Sequence, residues 1–269
     1  MTFRAKPKFP KLNFSKNIAK GITANWPVYE SGGTVLHDIK NRSNGVLSVT
    51  SIVHRRYGQS IALNGSGDDV QVGTSASIDN IFAGGGTVST TVRPDSEGQT
   101  NGRILSKNDA AGWIFYLGST QTLLFLQDFS GGVAYWQLNN AFPAWGESLT
   151  LTMTYDSSST SNAPIFYVNG QKYLPTEMAA PSGTAESDAG TALYFGNNAA
   201  GSKSFDGLFH SVTFWDRILK PQETRLVAFD PFIMNRFPED VGFMGKAGVA
   251  ASGFGSLLGT QRNRLVYGG

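Results

Sequence analysis

The stretch Ser148-Leu-Thr-Leu-Thr-Met-Thr-Tyr155 alternates apolar and hydroxyl-bearing residues up to its final tyrosine. Successive side chains of an extended chain point to opposite faces, so every second residue shares a face. One face is formed by Leu149, Leu151, Met153 and Tyr155, and the other by serine and threonine. A period of two predicts a β-strand with one apolar face.

The next two apolar runs flank an Asn-Gly pair. Ile165-Phe-Tyr-Val168 is followed by Asn169-Gly170, and Gln171-Lys-Tyr-Leu174 returns. A two-residue hairpin turn of this kind needs positive φ at both central residues, which Asn and Gly adopt readily. The sequence therefore predicts an antiparallel hairpin here.

Strand-like segments bounded by turn signals continue on both sides of the hairpin. They cover residues 59–63, 69–72, 87–93 (ending at Pro94), 112–117, 123–127, 133–138, 191–195 and 208–215. Many antiparallel strands without helices between them predict an all-β jelly-roll sandwich. One short helix is predicted near the end of this domain, at Lys220–Leu226, because Pro221 suits the first helical position and Glu223 the first turn.

The composition narrows the class of protein further. The 32 glycines and a charged fraction of 16% suit many short strands joined by tight turns. The net charge of +2 is too small to give the whole molecule the positive electrostatic potential that is typical of nucleic-acid-binding proteins. The chain has no cysteine, which excludes disulfides and thiolate metal sites, and no apolar run long enough to predict a signal peptide or membrane insertion.

The two ends of the chain are predicted to be arms outside a domain at residues 21–230. Residues 1–20 carry six lysines and arginines together with Pro7 and Pro10, which predicts either disorder or docking against a partner. So few cations favour a protein partner over nucleic acid. Residues 231–269 are Gly-rich and are predicted to be a mobile anchoring tail.

Patterns typical of catalysis are missing from the sequence. It contains no Glu-x-Asp-x-Glu strand, which retaining β-glucanases need to place carboxylates about 5 Å apart. His37, His54 and His210 are scattered and form no zinc-binding helix, and no Gly-x-Ser-x-Gly elbow occurs. We therefore predict no catalytic residues and no enzymatic activity.

Four aromatic residues are candidates for stacking on sugar rings. They are Trp113, Tyr135, Trp136 and Trp145. The alternative for most of them is packing in the core of the sandwich. Tyr135 and Trp136 are adjacent in a predicted strand, so they must point to opposite sides of the sheet.

Several short motifs, in order, resemble those of the laminin-G-like, pentraxin-like branch of concanavalin A-like lectin domains. The resemblance covers about Ile22 to Phe229. Each motif alone is weak, but their order and spacing together are specific to this superfamily. It is carried by Trp26–Thr34, Asp38–Gly45, Ala62–Gly65 with Asp68–Val70, Arg103–Lys107, Phe166–Gly170, and Phe205–Phe209 with Phe214–Leu219 and Pro221-x-Glu223.

Relatives in that branch often bind calcium at the rim of the sandwich, so the resemblance implies Ca²⁺ as a candidate cofactor. Its ligands here would be Asp38, Asp206 and Asn198. The alternative is that these residues cap turns by bonding their own backbone. Ile39-Lys40 replaces the family's Ser-Gly pair in the loop after Asp38, which counts against a metal site in that loop.

The flanks, a basic leader and Asp230-Pro-Phe…Arg236-Phe-Pro238, resemble laminin-G-like proteins of tailed bacteriophages. The resemblance implies a structural protein on the outer surface of a virion, such as a capsid decoration, head fibre or tail component. It would bind other virion proteins and copies of itself through residues 1–20 and 231–269. The alternatives are a lectin or adhesin that binds host surface glycans and, third, a glucanase-like hydrolase.

Overall fold

The computed structural model describes residues 6–7, 11–48, 51–55, 58–108 and 111–237, and these form two antiparallel sheets packed face to face. The strands, in chain order, are β1 Ile22–Trp26, β2 Val35–Leu36, β3 Gly45–Ser48, β4 Ser51–Arg55, β5 Gly58–Asn64, β6 Asp69–Gly73, β7 Gly86–Ser96, β8 Arg103–Asn108, β9 Gly112–Gly118, β10 Thr122–Phe129, β11 Gly132–Leu138, β12 Leu149–Tyr155, β13 Ile165–Val168, β14 Gln171–Tyr173, β15 Thr176–Ala179, β16 Leu193–Phe195 and β17 Asp206–Trp215. The helix α1 spans Pro221–Phe229, and short 3₁₀ helices lie at Asn17–Ala19 and Ile233–Asn235. The predicted all-β sandwich with one short helix near its end is confirmed.

The eight-stranded sheet has seven strands in the order β14-β13-β12-β7-β17-β5-β4, and its eighth strand, β1, pairs with β17 outside this order. Its long strand β17 pairs with β5 through residues 206–209 and with β1 through residues 212–215. The predicted Asn169-Gly170 hairpin joins β13 to β14, and both turn residues have positive φ, at 51° and 77°.

The nine-stranded sheet has the order β15-β11-β10-β9-β8-β16-β6-β3-β2. The chain passes from β1 in one sheet to β2 at the edge of the other through residues 27–34. That crossing places a long loop at the rim of the sandwich, next to the edge strand β2.

The core lies between the two sheets and contains the apolar face predicted for β12. Leu149, Leu151, Met153 and Tyr155 are all buried in it. The threonine face of β12 is buried as well: Thr152 bonds to Ser89 of β7 at 2.7 Å. Helix α1 packs against β12, so this polar face is covered by the chain itself.

Strand β7 does not end at Pro94 as the sequence predicted; it continues to Ser96. Its partner β12 pairs only as far as Val92, so the missing N–H of Pro94 leaves no bond to β12 unmade. The carbonyl of Pro94 accepts the Gly146 N–H at 2.7 Å. Proline is tolerated because the ladder on that side has already ended.

Part of the predicted N-terminal arm is folded onto the domain. Leu12, Ile18 and Ala19 are buried in a second apolar cluster with Trp215, Leu219, Val227 and Met234. The indole of Trp215 donates to the Ile18 carbonyl at 2.8 Å. One compact unit extends to Arg236, beyond the predicted boundary at 230, while the predicted tail from residue 238 onward lies outside the described residues.

No helix within the described ranges is long and apolar enough to span a membrane.

Candidate functional site

A cavity of about 590 Å³ lies in the loop where the chain crosses between the sheets. We call it the rim pocket and define it by Tyr29, Glu30, Ser31, Thr34, Val35, His37 and Ile39, which line it. Ligand sites are typically concave, mostly apolar and supplied with a few convergent polar groups. The rim pocket has this character and is built from one continuous segment.

A carboxylate holds the imidazole of the rim pocket in place. Glu30 Oε1 accepts the backbone N–H of His37 at 2.7 Å and faces His37 Nδ1 at 3.2 Å. The Glu30 side chain is 9% exposed, whereas that of His37 is 66% exposed. Because a carboxylate accepts hydrogen bonds, Nδ1 carries a proton in this contact, and Nε2 is the ring nitrogen that faces away from Glu30.

A partly buried lysine, Lys6, fixes the start of the same loop. The ammonium of Lys6 donates to the carbonyls of Val28 and Gln59, which ties the loop to β5. Burial lowers the pKa of Lys6 to about 7, and the charge of Glu30 opposes that shift. Val28 has a φ of 49°, an unfavourable angle for a β-branched residue, so the surrounding contacts hold the loop in a strained conformation.

The pocket offers hydrogen-bonding and apolar surface side by side. Ser31 and Thr34 contribute hydroxyl groups, His37 contributes a ring nitrogen, and Val35 and Ile39 contribute apolar surface. A ligand with hydroxyl groups on one side and C–H groups on the other matches these groups. In the part of the chain that the structure describes, no group of three or more His, Asp or Glu side chains is arranged to hold a metal ion.

Two of the four predicted sugar-stacking residues are core residues, which corrects that prediction. Trp113 is 1% exposed and its indole donates to Asp188 at 2.9 Å, while Trp136 is 0% exposed and stacks on Phe125. Neither ring presents a face to solvent. Strand periodicity shows that Tyr135 and Trp136 point to opposite sides, as observed, but it does not show which side is the core.

Tyr135 and Trp145 are partly exposed but do not line the rim pocket. Tyr135 lies on the outer face of the nine-stranded sheet, opposite Leu126 in the register. Trp145 packs edge-to-face on Phe142 with ring centroids 5.2 Å apart. A role in glycan binding stays a prediction for these two residues.

The predicted calcium ligands each bond to a different part of the chain. Asp38 is 2% exposed and its carboxylate accepts the backbone N–H groups of Asn25, Lys40 and Arg42. It therefore caps the turn, which is the alternative left open by the sequence. Asp206 accepts from Ser96 at 2.6 Å, and Asn198 from the Ser202 N–H at 2.9 Å.

One carboxylate not predicted as a ligand is less well satisfied than these three. Asp68 is 2% exposed; one of its oxygens accepts the Asn64 N–H, and the other has no hydrogen-bond partner among the described residues. Burial raises the pKa of Asp68. Calcium binding stays a prediction for this end of the sandwich.

The Glu30–His37 pair is not predicted by any pattern in the sequence. The two residues are seven positions apart in a loop, and their contact depends on how that loop closes around Gly32-Gly33. The periodicity of a sequence does not indicate how a loop closes. The available signal was a histidine and an acid flanking a Gly-Gly turn, which is weak by itself.

Solved structures similar to this chain include binding domains of toxins and a domain of an arabinanase. The binding domain of Paraclostridial mosquitocidal protein 1 superposes with a TM-score of 0.62 at 17% identity, covering 79% of this chain and 52% of that one. Domain 4 of AbnA, an extracellular arabinanase from Geobacillus stearothermophilus, gives a TM-score of 0.53 at 17% identity over 77% of this chain and 98% of that one. A botulinum neurotoxin type C structure gives 0.59 at 13% identity over 80% and 52%.

These identities are low, so the likeness shows the fold alone. The chain spans about half the length of the mosquitocidal and botulinum chains that it matches. No curated protein sequence matches it.

The family itself is shown by the sequence. The Laminin_G_3 model, described as concanavalin A-like lectin/glucanases superfamily, matches residues 64–225, which is more than half of the chain. The match confirms the family resemblance of the domain, whereas the resemblance of the flanks to phage proteins stays a prediction. With its two-sheet architecture, this chain belongs to the concanavalin A-like lectin/glucanases superfamily.

Proposed function

We propose that the protein is a non-catalytic carbohydrate-binding domain that holds a glycan in the rim pocket. The observation that carries the proposal is the imidazole of His37, held by the buried carboxylate of Glu30 in a cavity of about 590 Å³. A side chain that is already held in place loses little conformational entropy when a ligand binds, and this favours affinity. No catalytic residue is assigned to the pocket.

The pocket recognises a sugar through its hydrogen-bonding groups and its apolar surface. A sugar hydroxyl donates to His37 Nε2, and further hydroxyls bond to Ser31 and Thr34. The C–H face of the same ring lies against Val35 and Ile39. Hydrogen bonds of this kind discriminate between sugars because a mismatched ligand leaves a desolvated polar group unpaired.

The similar structures support a glycan as the ligand class. The arabinanase domain was solved with arabinotriose, and cell entry of botulinum neurotoxin type C depends on two ganglioside molecules. They do not indicate which sugar this chain binds. A panel of glycans is therefore the starting point of the test.

The test measures binding of the full chain to a glycan array, followed by calorimetry on the strongest ligand. We expect His37→Ala to weaken binding at least tenfold, because about 1.4 kcal/mol of hydrogen bonding is lost. Glu30→Gln weakens binding less, since the amide still contacts the ring but no longer as a charged acceptor. His54→Ala is the matched control, because His54 is exposed on β4 and does not line the pocket.

Two results contradict the proposal. One is a wild-type chain that binds no glycan of a broad array. The other is a His37→Ala variant that binds as tightly as the wild type, which would move the glycan to another surface, such as that around Tyr135.

Attachment to host surface glycans and display on a virion are the biological settings that the sequence predicted. Both stay predictions, as do the absence of enzymatic activity and binding to copies of itself. Hydrolysis of a bound oligosaccharide by the purified chain would contradict the non-catalytic assignment.

A further inference from the structure

A second cavity, of about 670 Å³, lies between the folded N-terminal segment and helix α1. We call it the basic groove and define it by Lys16, Ile18, Lys20, Lys220, Leu226 and Ile233, with Arg217 and Glu223 at its wall. The residues of segment 16–20 reach it because that segment is anchored by buried Ile18 and Ala19. The groove shares no lining residue with the rim pocket.

The positive charge of the groove is unbalanced. Its one lining acid, Glu223, is used by Arg217 in two bonds of 2.8 Å, and it also accepts the Lys220 backbone N–H at 2.9 Å. Lys16, Lys20 and Lys220 form no ion pair with any described residue. Four cationic side chains therefore line the cavity against one carboxylate, and the three lysines among them form no ion pair with a described residue.

The base of the groove is apolar. It is formed by Ile18, Leu226 and Ile233, and Leu226 remains 46% exposed although it lies on a helix packed against the sheet. An exposed apolar patch surrounded by charged residues is typical of a protein interaction site.

We propose that the basic groove docks an acidic segment of a partner protein that inserts an apolar side chain between the lysines. The three lysines supply complementary charge for Asp or Glu, and the cavity accepts the apolar side chain against Leu226 and Ile233. This inference goes beyond the proposed glycan binding and does not depend on it.

Other polyanions match the groove less well. Nucleic acid and sulfated polysaccharide are recognised by extended arrays of cations, and neither carries a side chain to fill an apolar cavity. A membrane surface needs a continuous apolar and basic face rather than a concave one. The experiment distinguishes these three alternative ligands from the proposed acidic segment.

The experiment measures fluorescence anisotropy of labelled eight-residue peptides titrated with the full chain. The probes are an alternating Asp-Leu peptide, an Asp-Ser peptide of the same charge and a Lys-Leu peptide of the same apolar content. We expect the Asp-Leu peptide to bind at least tenfold more tightly than either of the others. Raising the salt concentration from 50 to 500 mM weakens that binding, because exposed charges are screened.

Variants locate the binding site. The double variant Lys20→Glu with Lys220→Glu and the single variant Leu226→Ser should each weaken binding of the Asp-Leu peptide at least fivefold. The matched controls are Lys172→Glu and Leu174→Ser, which change an exposed lysine and a 72% exposed leucine that do not line the groove. A circular dichroism spectrum identical to that of the wild type shows that each variant is folded.

The proposal is overturned if the Asp-Leu peptide does not bind or binds no better than the Asp-Ser peptide. It is also overturned if the groove variants bind like the controls. Binding of heparin, duplex DNA or anionic vesicles that exceeds binding of the peptide and is lost in the groove variants would assign the groove to that ligand instead.

Discussion

At the residue scale, Lys107 shows how a charge is accommodated in the interior of this sandwich. Its side chain is 0% exposed, and its ammonium donates to Asp79 at 2.8 Å and to Asp188 at 3.0 Å. Asp188 also accepts the indole N–H of Trp113 and the backbone N–H of Asn80. One lysine therefore ties two loops to strand β8.

We expect Lys107→Met to lower the free energy of unfolding by about 3–5 kcal/mol, because it leaves two carboxylates without their counter-charge. Adding Asp188→Asn to this variant should recover part of the loss. Urea denaturation followed by tryptophan fluorescence measures both changes. Lys172→Met, at an exposed position, is the control. A loss below about 1 kcal/mol would contradict the structural role of the lysine.

The same scale shows where sequence patterns stop being informative. Alternation in β11 correctly separates Tyr135 from Trp136, because it depends only on the geometry of a strand. It cannot assign Trp136 to the core, because that depends on the sheet packed opposite. Likewise, the role of Glu30 comes from its contact with His37, and no local pattern encodes the loop that joins them.

At the element scale, strands with their own periodicity or turn signal were predictable, including the short strands β13, β14 and β16, whereas several other short strands were not. Strands β7, β9, β10, β12 and β17 have enough alternating or apolar residues to be recognised alone. Two-residue β2 and four-residue β3 and β15 are defined by the strands they pair with. The end of β7 was misplaced for the same reason, since the neighbour that decides whether Pro94 is tolerated is distant in sequence.

The N-terminal segment gives a second prediction at this scale. Ile18 is 5% exposed in the cluster around Trp215, whereas Phe14, four residues earlier, is 61% exposed. We expect Ile18→Ala to lower the free energy of unfolding by about 2–4 kcal/mol and Phe14→Ala to change it by less than about 0.5 kcal/mol.

Urea denaturation of the two variants and the wild type measures these changes. Equal effects at the two positions would show that residues 11–20 do not pack on the domain in solution. That outcome would also remove the wall of the basic groove that contains Lys16 and Lys20.

At the scale of the whole molecule, the two sheets form a rigid frame, and the candidate sites lie on segments added to it. The rim pocket is formed by the crossing between the sheets, and the basic groove by the N-terminal segment and the chain after β17. The frame was predictable because period-two patterns specify it. The candidate sites were not predictable, because they lie in loops whose sequence and conformation the fold does not determine.

The stability of the whole molecule should depend on the protonation of one buried histidine. His210 is 4% exposed; its Nδ1 bonds to Ser60 at 2.7 Å, and its Nε2 has no hydrogen-bond partner among the described residues. Burial, with smaller contributions from the charges of Lys6 and Arg93, lowers the pKa of His210 to about 3.

The sign of the pH effect follows from this lowered pKa. Between about pH 6.5 and pH 3 the unfolded chain binds a proton at His210 that the folded chain does not, so acid favours unfolding. From pH 7 to pH 4 this costs at most about 3 kcal/mol. Buried Asp68 and partly buried Asp128, whose pKa values desolvation raises, have the opposite effect, so the total change in stability is not diagnostic.

The diagnostic quantity is the difference between variants. His210→Asn keeps a polar atom near Ser60 but does not titrate, so we expect it to lose about 2–3 kcal/mol less than the wild type between pH 7 and pH 4. His54→Asn, at an exposed position, should follow the wild type. Chemical denaturation at the two pH values measures both. Parallel losses in the wild type and His210→Asn would mean that the imidazole is protonated within the folded sandwich, and that the sheet around it opens to water.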